Sequence, residues 1–298
     1  MSAYLSPGFP SLDRMLTAPG SSAIVLRKAI GTRMRKLRKS ACISATEAAE
    51  RLRCHDSKIS RLECGEVPLK ERDVMDLLNL CGADHVERAA APELVALSNR
   101  PGWWKQQYGS VVPEWFDKLI GLQEGASVIW TYEVLLVPGL LQTRQYAFAV
   151  TKSGFPLADR VDIEARVDLR MERQEILGKQ GGPRLWALMD SGVLERPIGS
   201  REVMRGQIER LITLTEHPRI TLQLVPKDFV TVTAPVTLIR FPLELPDIVY
   251  LEKSLDADYL DRPKQTEHFR ALLDPLSTIA HNPAQTRLML IEALKLYR

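Results

Sequence analysis

The stretch ISATEAAERLRCHDSKISRLECG, Ile43 to Gly65, holds two short helix-forming segments separated by a break at Arg53–His55, and the second segment is almost wholly polar. Ser44 is a good N-cap, and Glu47 stands three residues later, the spacing of a capping box. Ala48, Ala49 and Leu52 give the first segment a small apolar face that lets another helix approach closely. In the second segment, DSKISRLE, only Ile59 and Leu62 are apolar, and Gly65 follows where a helix C-cap would stand. A helix with so thin an apolar stripe touches a core along one line and leaves the rest of its surface outward. Two short helices joined by about three residues, the second mostly polar, form a helix-turn-helix, whose second helix is exposed because its partner is the major groove of DNA.

The flanking segments complete a small helical body. In IVLRKAIGTRMRKLRKSA, Ile30, Met34 and Leu37 recur at helical spacing and the other faces are basic. PLKERDVMDLLNLCG is a further helix with Val74, Leu77, Leu78 and Cys81 inward. Net charge over the chain is only +3, but between Arg27 and Arg61 eleven Lys/Arg stand against three acids, a local +8. Such a block on a neutral-to-acidic body is the electrostatic footprint of a polyanion binder. On the polar helix, Asp56, Ser57, Lys58, Ser60 and Arg61 are the candidates to reach base edges, with Arg61 suited to guanine. Arg33, Ser44, Thr46, His55, Lys70 and Arg72 are the candidates to meet phosphate, Ser44 through a helix N-terminus. His55 has a second reading, as a side-chain cap of the polar helix.

These residues resemble the XRE-type, phage-repressor-like helix-turn-helix family over roughly residues 24–82, with SKISRLE-x-G as the most specific part. The resemblance implies an all-α DNA-binding domain. Three positions depart from the family pattern. Ala45 stands where Gln is usual, Arg53 where the turn usually carries Gly, and Asp56 where Gln is frequent. Asp near phosphate is unfavourable unless it accepts from a cytosine amino group.

Cys42, Cys54, Cys64 and Cys81 all lie in this part of the chain, and their spacing matches no zinc pattern. They read as small packing residues, with redox sensing and metal binding as the alternatives. No metal and no cofactor are expected.

The remaining two thirds read as mixed α/β. RPGWWKQQYGSVVPEWF holds three of the five Trp, which either stack on bases or pack on the second domain; the shortage of interleaved Lys/Arg favours packing. SVIWTYEVLLV, RLWALMD, RITLQLVP, VTLIRFP and DIVYLEK are strand-like, the last two paired through LELP. ADRVDIEARVDLRMERQEILG is a charged helix with Val161, Ala165, Leu169 (or Val167) and Ile176 inward, and Asn282–Pro283 opens a closing helix. In YEVLLVPGLLQTRQYA, Gln142, Thr143 and Arg144 either face a ligand or belong to a plain strand-turn-helix with Pro138–Gly139 as the turn. There is no phosphate loop, G-x-S-x-G, H-E-x-x-H or G-x-G-x-x-G, so an enzyme is not expected. A deep pocket with convergent ionisable groups is what would revive that reading.

Over about residues 103–297 the chain also resembles the domain of unknown function that follows XRE helix-turn-helix domains in many actinobacterial regulators, described as antitoxin-like and often encoded beside a small companion protein. The expected organisation is a flexible arm over 1–23, a DNA-binding domain over 24–99, an aromatic-rich linker over 100–125 and an α/β regulatory or partner-binding domain over 126–298. A wrongly chosen start codon is the alternative reading of the arm. The expected function is a cytoplasmic, nucleoid-associated transcriptional regulator on double-stranded DNA, dimeric because one short recognition helix supplies few base contacts. Its C-terminal domain would dimerise or sense a small-molecule effector or partner protein. The alternative is an antitoxin-like protein that neutralises a companion and autoregulates its operon. No run of about 18 apolar residues suggests a membrane span.

Overall fold

A computed structural model describes residues 11, 12, 15, 22–229, 234–243 and 245–297. The chain divides into two compact units: one runs to Gly102 and takes in Phe241–Leu245, the other comprises Trp103–Arg240 and Pro246 onward. Most of the expected arm lies outside the described residues. Leu12 and Met15 are buried, and Ser22 caps the first helix through Val25 N–H.

The first unit contains α1 (Ala23–Ser40), α2 (Ala45–Arg51), α3 (Asp56–Cys64), α4 (Glu71–Leu80) and α5 (His85–Ser98). Its core is built from the expected apolar faces: Ile30 and Met34 of α1, Ala48 and Ala49 of α2, Ile59 and Leu62 of α3, and Val74, Leu77 and Leu78 of α4 are all buried. Leu37 and Cys81 are only half-buried. Four helices end in the same way, with one left-handed residue followed by an N–H that reaches back five residues. The left-handed residues are Cys42, Arg53, Gly65 and Gly82, with φ of 58°, 52°, 65° and 69°. The closing bonds run from Ile43 N–H to Arg38 O at 3.1 Å, Cys54 to Ala49 at 2.9 Å, Glu66 to Arg61 at 3.0 Å and Ala83 to Leu78 at 2.9 Å. This corrects the packing role expected of Cys42, which is exposed because its position is a turn. The other three cysteines are partly buried and all four are free thiols.

The second unit carries a six-stranded sheet in the order β3-β2-β1-β4-β5-β6, with β1 (Val128–Glu133), β2 (Arg184–Asp190), β3 (Ile220–Val225), β4 (Val236–Arg240), β5 (Ile248–Glu252) and β6 (Ala257–Leu260). The pairs β1–β2 and β2–β3 are parallel; the other three are antiparallel. Ahead of β1 stand α6 (Trp104–Tyr108) and α7 (Glu114–Glu124). The parallel half takes its crossovers through α8 (Arg144–Gly154) with α9 (Arg160–Gln174), and through α10 (Arg201–Leu214). The chain closes with α11 (Pro263–Ile279) and α12 (Pro283–Lys295). Asn282 and Gln285 form a complete capping box at the start of α12.

Strand alternation divides the sheet into two faces. Trp130, Tyr132, Leu188, Val236, Leu238 and Val249 pack with Leu273, Leu276 and Ala280 on the side of α11. Trp130 and Trp186 are register partners there, their rings stacked 4.7 Å apart at 8°. The other face of the same strands holds Ile129, Thr131 and Glu133 of β1 and Thr237 of β4, with the Thr131 and Thr237 hydroxyls 2.9 Å apart.

Three details differ from expectation, and the aromatic stretch takes the packing reading that its shortage of Lys/Arg favoured. The first strand stops at Glu133, and the chain makes a 3-10 turn over Gly139–Leu141 before α8. β6 is an added edge strand. On α9 the buried residues are Ile163, Val167, Leu169 and Arg173, while Val161 is exposed. The aromatic stretch packs within the second unit: Trp104 and Tyr108 are buried with Val111, Ile120 and Leu169.

Candidate nucleic-acid interface

The position of α3 is set by a buried ion pair. Glu63, 2% exposed, accepts from Arg38 Nε at 2.6 Å and from Arg38 NH2 at 2.8 Å. Arg35 Nε adds a third bond to the same carboxylate at 3.1 Å, and Arg38 NH1 donates to Ile43 O at 2.7 Å. The hydrogen bonds that Arg38 donates to Glu63 hold the guanidinium in its charged form, raising its pKa against the opposing effect of burial. A bidentate arginine–carboxylate pair fixes direction as well as distance, so the C-terminal end of α3 is tied to α1 at one angle. Two glycines permit that approach. A Cβ on Gly31 would lie 2.5 Å from Leu62 O, and one on Gly65 would lie 2.8 Å from Lys28 Cα.

With Ile59, Leu62 and Glu63 inward, the opposite side of α3 is free of core contacts. Asp56, Ser57, Lys58, Ser60 and Arg61 are all exposed, spread over the broad side of the helix away from the core. A shallow concavity of about 270 Å³ opens beside them, lined by Cys54, His55, Ser57, Lys58, Arg61 and Val67. Arg61 has no ion-pair partner among the described residues, whereas Lys58 Nζ meets Asp73 Oδ1 at 2.7 Å. Asp56 turns its carboxylate onto Ser57 N–H at 2.7 Å.

The phosphate candidates divide into two groups. Ser44 caps α2 by accepting from Glu47 N–H at 3.0 Å, but Glu47 pairs with Arg51 and does not return the second bond of a capping box. Ser44, Thr46, Lys70 and Arg72 are exposed; Arg72 stands 3.7 Å from Asp76. His55 occupies the N-cap position of α3 without a side-chain capping bond, which removes the capping reading and leaves the imidazole exposed. Arg33 is turned inward: its Nε lies 2.6 Å from Glu87, which is 2% exposed.

The inward arginines also revise the charge count. Three of the eleven cations between Arg27 and Arg61 (Arg33, Arg35 and Arg38) meet Glu63 or Glu87, two acids that lie beyond the counted window. Arg38 and Glu63 are the important residues that the sequence pattern missed; the signal available was a Glu on the otherwise inward side of α3. Among the described residues no cluster of three or more His, Cys, Asp or Glu could hold a metal ion, and no helix is long and apolar enough to cross a membrane.

A family model described as a helix-turn-helix domain matches residues 29–91, and one described as a domain of unknown function (DUF5753) matches residues 116–292. No curated protein and no solved structure matches the chain. The fold expected from sequence, a helical domain with a helix-turn-helix followed by a mixed α/β domain, is the one observed.

Proposed function

This chain belongs to the family of the domain of unknown function DUF5753, carried behind a helix-turn-helix domain, and on that premise we propose that it is a sequence-specific DNA-binding transcriptional regulator. The observation that carries the proposal is the exposed polar face formed by Asp56, Ser57, Lys58, Ser60 and Arg61 on a helix whose other side is locked by Arg38–Glu63. A rigidly held helix with a broad, polar, solvent-facing surface suits a major groove. Arg61 would pair with guanine, Lys58 would exchange Asp73 for a base or phosphate, and Asp56 would accept from a cytosine amino group. Lys70, Arg72, His55, Thr46 and the N-terminus of α2 at Ser44 would flank the groove on phosphates. Arg33, paired to buried Glu87, is left out of this contact set.

α3 is nine residues long and carries few base contacts, so two copies on paired half-sites are the proposed binding form. The second unit would supply dimerisation and effector sensing. The test is in-vitro selection of bound DNA by the full chain, followed by anisotropy titration of the selected site at several salt concentrations. Arg61→Ala is expected to weaken binding by about 1–3 kcal/mol and to relax selectivity at one base pair, and Lys58→Ala to weaken binding and lower the salt slope by about 1. Wild-type affinity in both variants, with no salt dependence, refutes the proposal. The companion-protein alternative rests on the resemblance alone; absence of a complex with the neighbouring gene product on size exclusion removes it.

A further inference from the structure

The face of the sheet opposite α11 borders a cavity of about 610 Å³ within the second unit, in the range of small-molecule sites. Its floor is Ile129, Thr131 and Glu133 of β1, Thr237 of β4, and Tyr250 and Glu252 of β5. Its other walls come from α7, α8, α9 and the turn Pro138–Gln142. Gln174 fixes that turn, donating to Gly139 O at 3.0 Å and Gln142 O at 2.8 Å. Gln142, a ligand candidate from the sequence, is buried and receives Arg170 NH1 at 2.7 Å.

The fold leaves polar groups at this cavity unsatisfied. Arg173 is 5% exposed, yet its Nε and NH1 have no hydrogen-bond partner; the guanidinium lies over the Phe116 ring, 4.9 Å from its centroid. Gln123, also 5% exposed, has an unpartnered Oε1. Buried donors and buried charge are unfavourable unless something meets them. Burial lowers the Arg173 pKa to about 10, with Arg170 pushing the same way, which still leaves the group cationic at neutral pH. Burial first, and the Glu252 carboxylate second, push Glu133 up to about 8, so it stands there as a neutral acid. The guanidiniums of Arg170 and Arg173 line the cavity together with the Glu252 carboxylate, which already takes the Tyr250 hydroxyl at 2.9 Å, and among the described residues neither arginine has a carboxylate within ion-pair distance.

We propose that this cavity binds a small organic acid, with its carboxylate on Arg173 and its apolar body against Leu119, Ile129, Leu140, Val150 and Leu185. A planar carboxylate matches a guanidinium fork. Gln123 Oε1 offers an acceptor for a hydroxyl or amide N–H on the acid. A phosphate dianion would meet Glu252 and leave the apolar wall uncovered. The proposal rests on the reading of the second unit as a sensor. Its assay contains no DNA, so failure here leaves DNA binding standing, and failure of the Arg61 and Lys58 variants leaves the cavity standing.

The test is calorimetric titration and thermal melting of the full chain with acetate, butyrate, hexanoate, octanoate and phenylacetate. Octanamide serves as the uncharged isostere and inorganic phosphate as the anion without a body. At least one acid is expected to bind at one per chain and raise the melting temperature, with octanamide weaker than octanoate by at least about tenfold. Arg173→Gln should abolish the preference for acid over amide. Val150→Phe, which fills the cavity and keeps Arg173, should abolish octanoate binding; if the Arg173 variant fails to fold, this variant and the acid–amide comparison decide. The proposal is overturned if no acid binds, if octanoate and octanamide bind alike, if phosphate binds more tightly than every acid, or if Arg173→Gln folds and retains the acid preference.

Discussion

Arg53 holds the turn of the helix-turn-helix at φ 52°. In the left-handed region an L-residue crowds its Cβ against the following carbonyl, at roughly 1–2 kcal/mol. The side chain is exposed and makes no ion pair among the described residues, so little packing offsets that strain. Arg53→Gly removes the strain and adds back roughly 0.5–1 kcal/mol of unfolded-chain entropy. The expected net stabilisation is about 0.5–1 kcal/mol, or about 2–8 °C for a unit of this size. Arg53→Ala is the matched control, because it loses the same charge but keeps the Cβ. Gly82, at φ 69°, supplies the reverse experiment: a Cβ there meets nothing within 4 Å, so Gly82→Ala isolates the backbone cost. All five Trp lie between residues 103 and 186, outside the first unit, so the melt must be followed by far-ultraviolet circular dichroism or calorimetry. If Arg53→Gly melts no higher than Arg53→Ala, the strain argument is wrong, whatever Gly82→Ala does.

Two further outcomes follow from buried charge. Glu63→Ala leaves Arg38 without its carboxylate and should destabilise the first unit by about 3–5 kcal/mol, with Arg38→Met in the same chain recovering much of the loss; equal melting of the single and double variants refutes this. Glu133 titrates near 8 when folded, against 4.5 as the ordinary value, so between those pH values the folded chain holds a proton that the unfolded chain releases. Stability of the second unit should therefore fall as pH rises from about 4.5 through 8 and level off above, and Glu133→Gln should flatten that slope in a tryptophan-fluorescence melt.

Helix ends and apolar stripes were readable along the chain because each depends on neighbours within one turn. Ser44, Gly65 and Asn282 sit where their chemistry places them, and Ile59, Leu62, Val74 and Leu77 face inward at the expected spacing. The Arg38–Glu63 pair left one trace, a Glu on the inward side of α3, but its partner had no local signal, because the pair joins residues 25 apart and both types ordinarily face water. On α9 the sequence offered Val161, Ala165 and Leu169 (or Val167) as the inward side, and packing against other elements instead buries Ile163, Val167, Leu169 and Arg173 and leaves Val161 exposed. β6 is four residues long and half-buried throughout, too short for alternation to stand out. The cavity depends on residues from β1, β4, β5, α7 and α9, and no local pattern announces such a meeting.

The stacked Trp130 and Trp186 have an optical consequence. Parallel indoles so close couple their transitions, giving a split circular-dichroism band that changes when either ring turns. The pair stands on the back of the strand whose Ile129, Thr131 and Glu133 floor the cavity. The sheet thus carries a built-in gauge of its own geometry. A band left unaltered by octanoate means that the strands stay fixed while the cavity fills. An altered band means that β1 moves against β2, the first displacement a bound effector would have to produce.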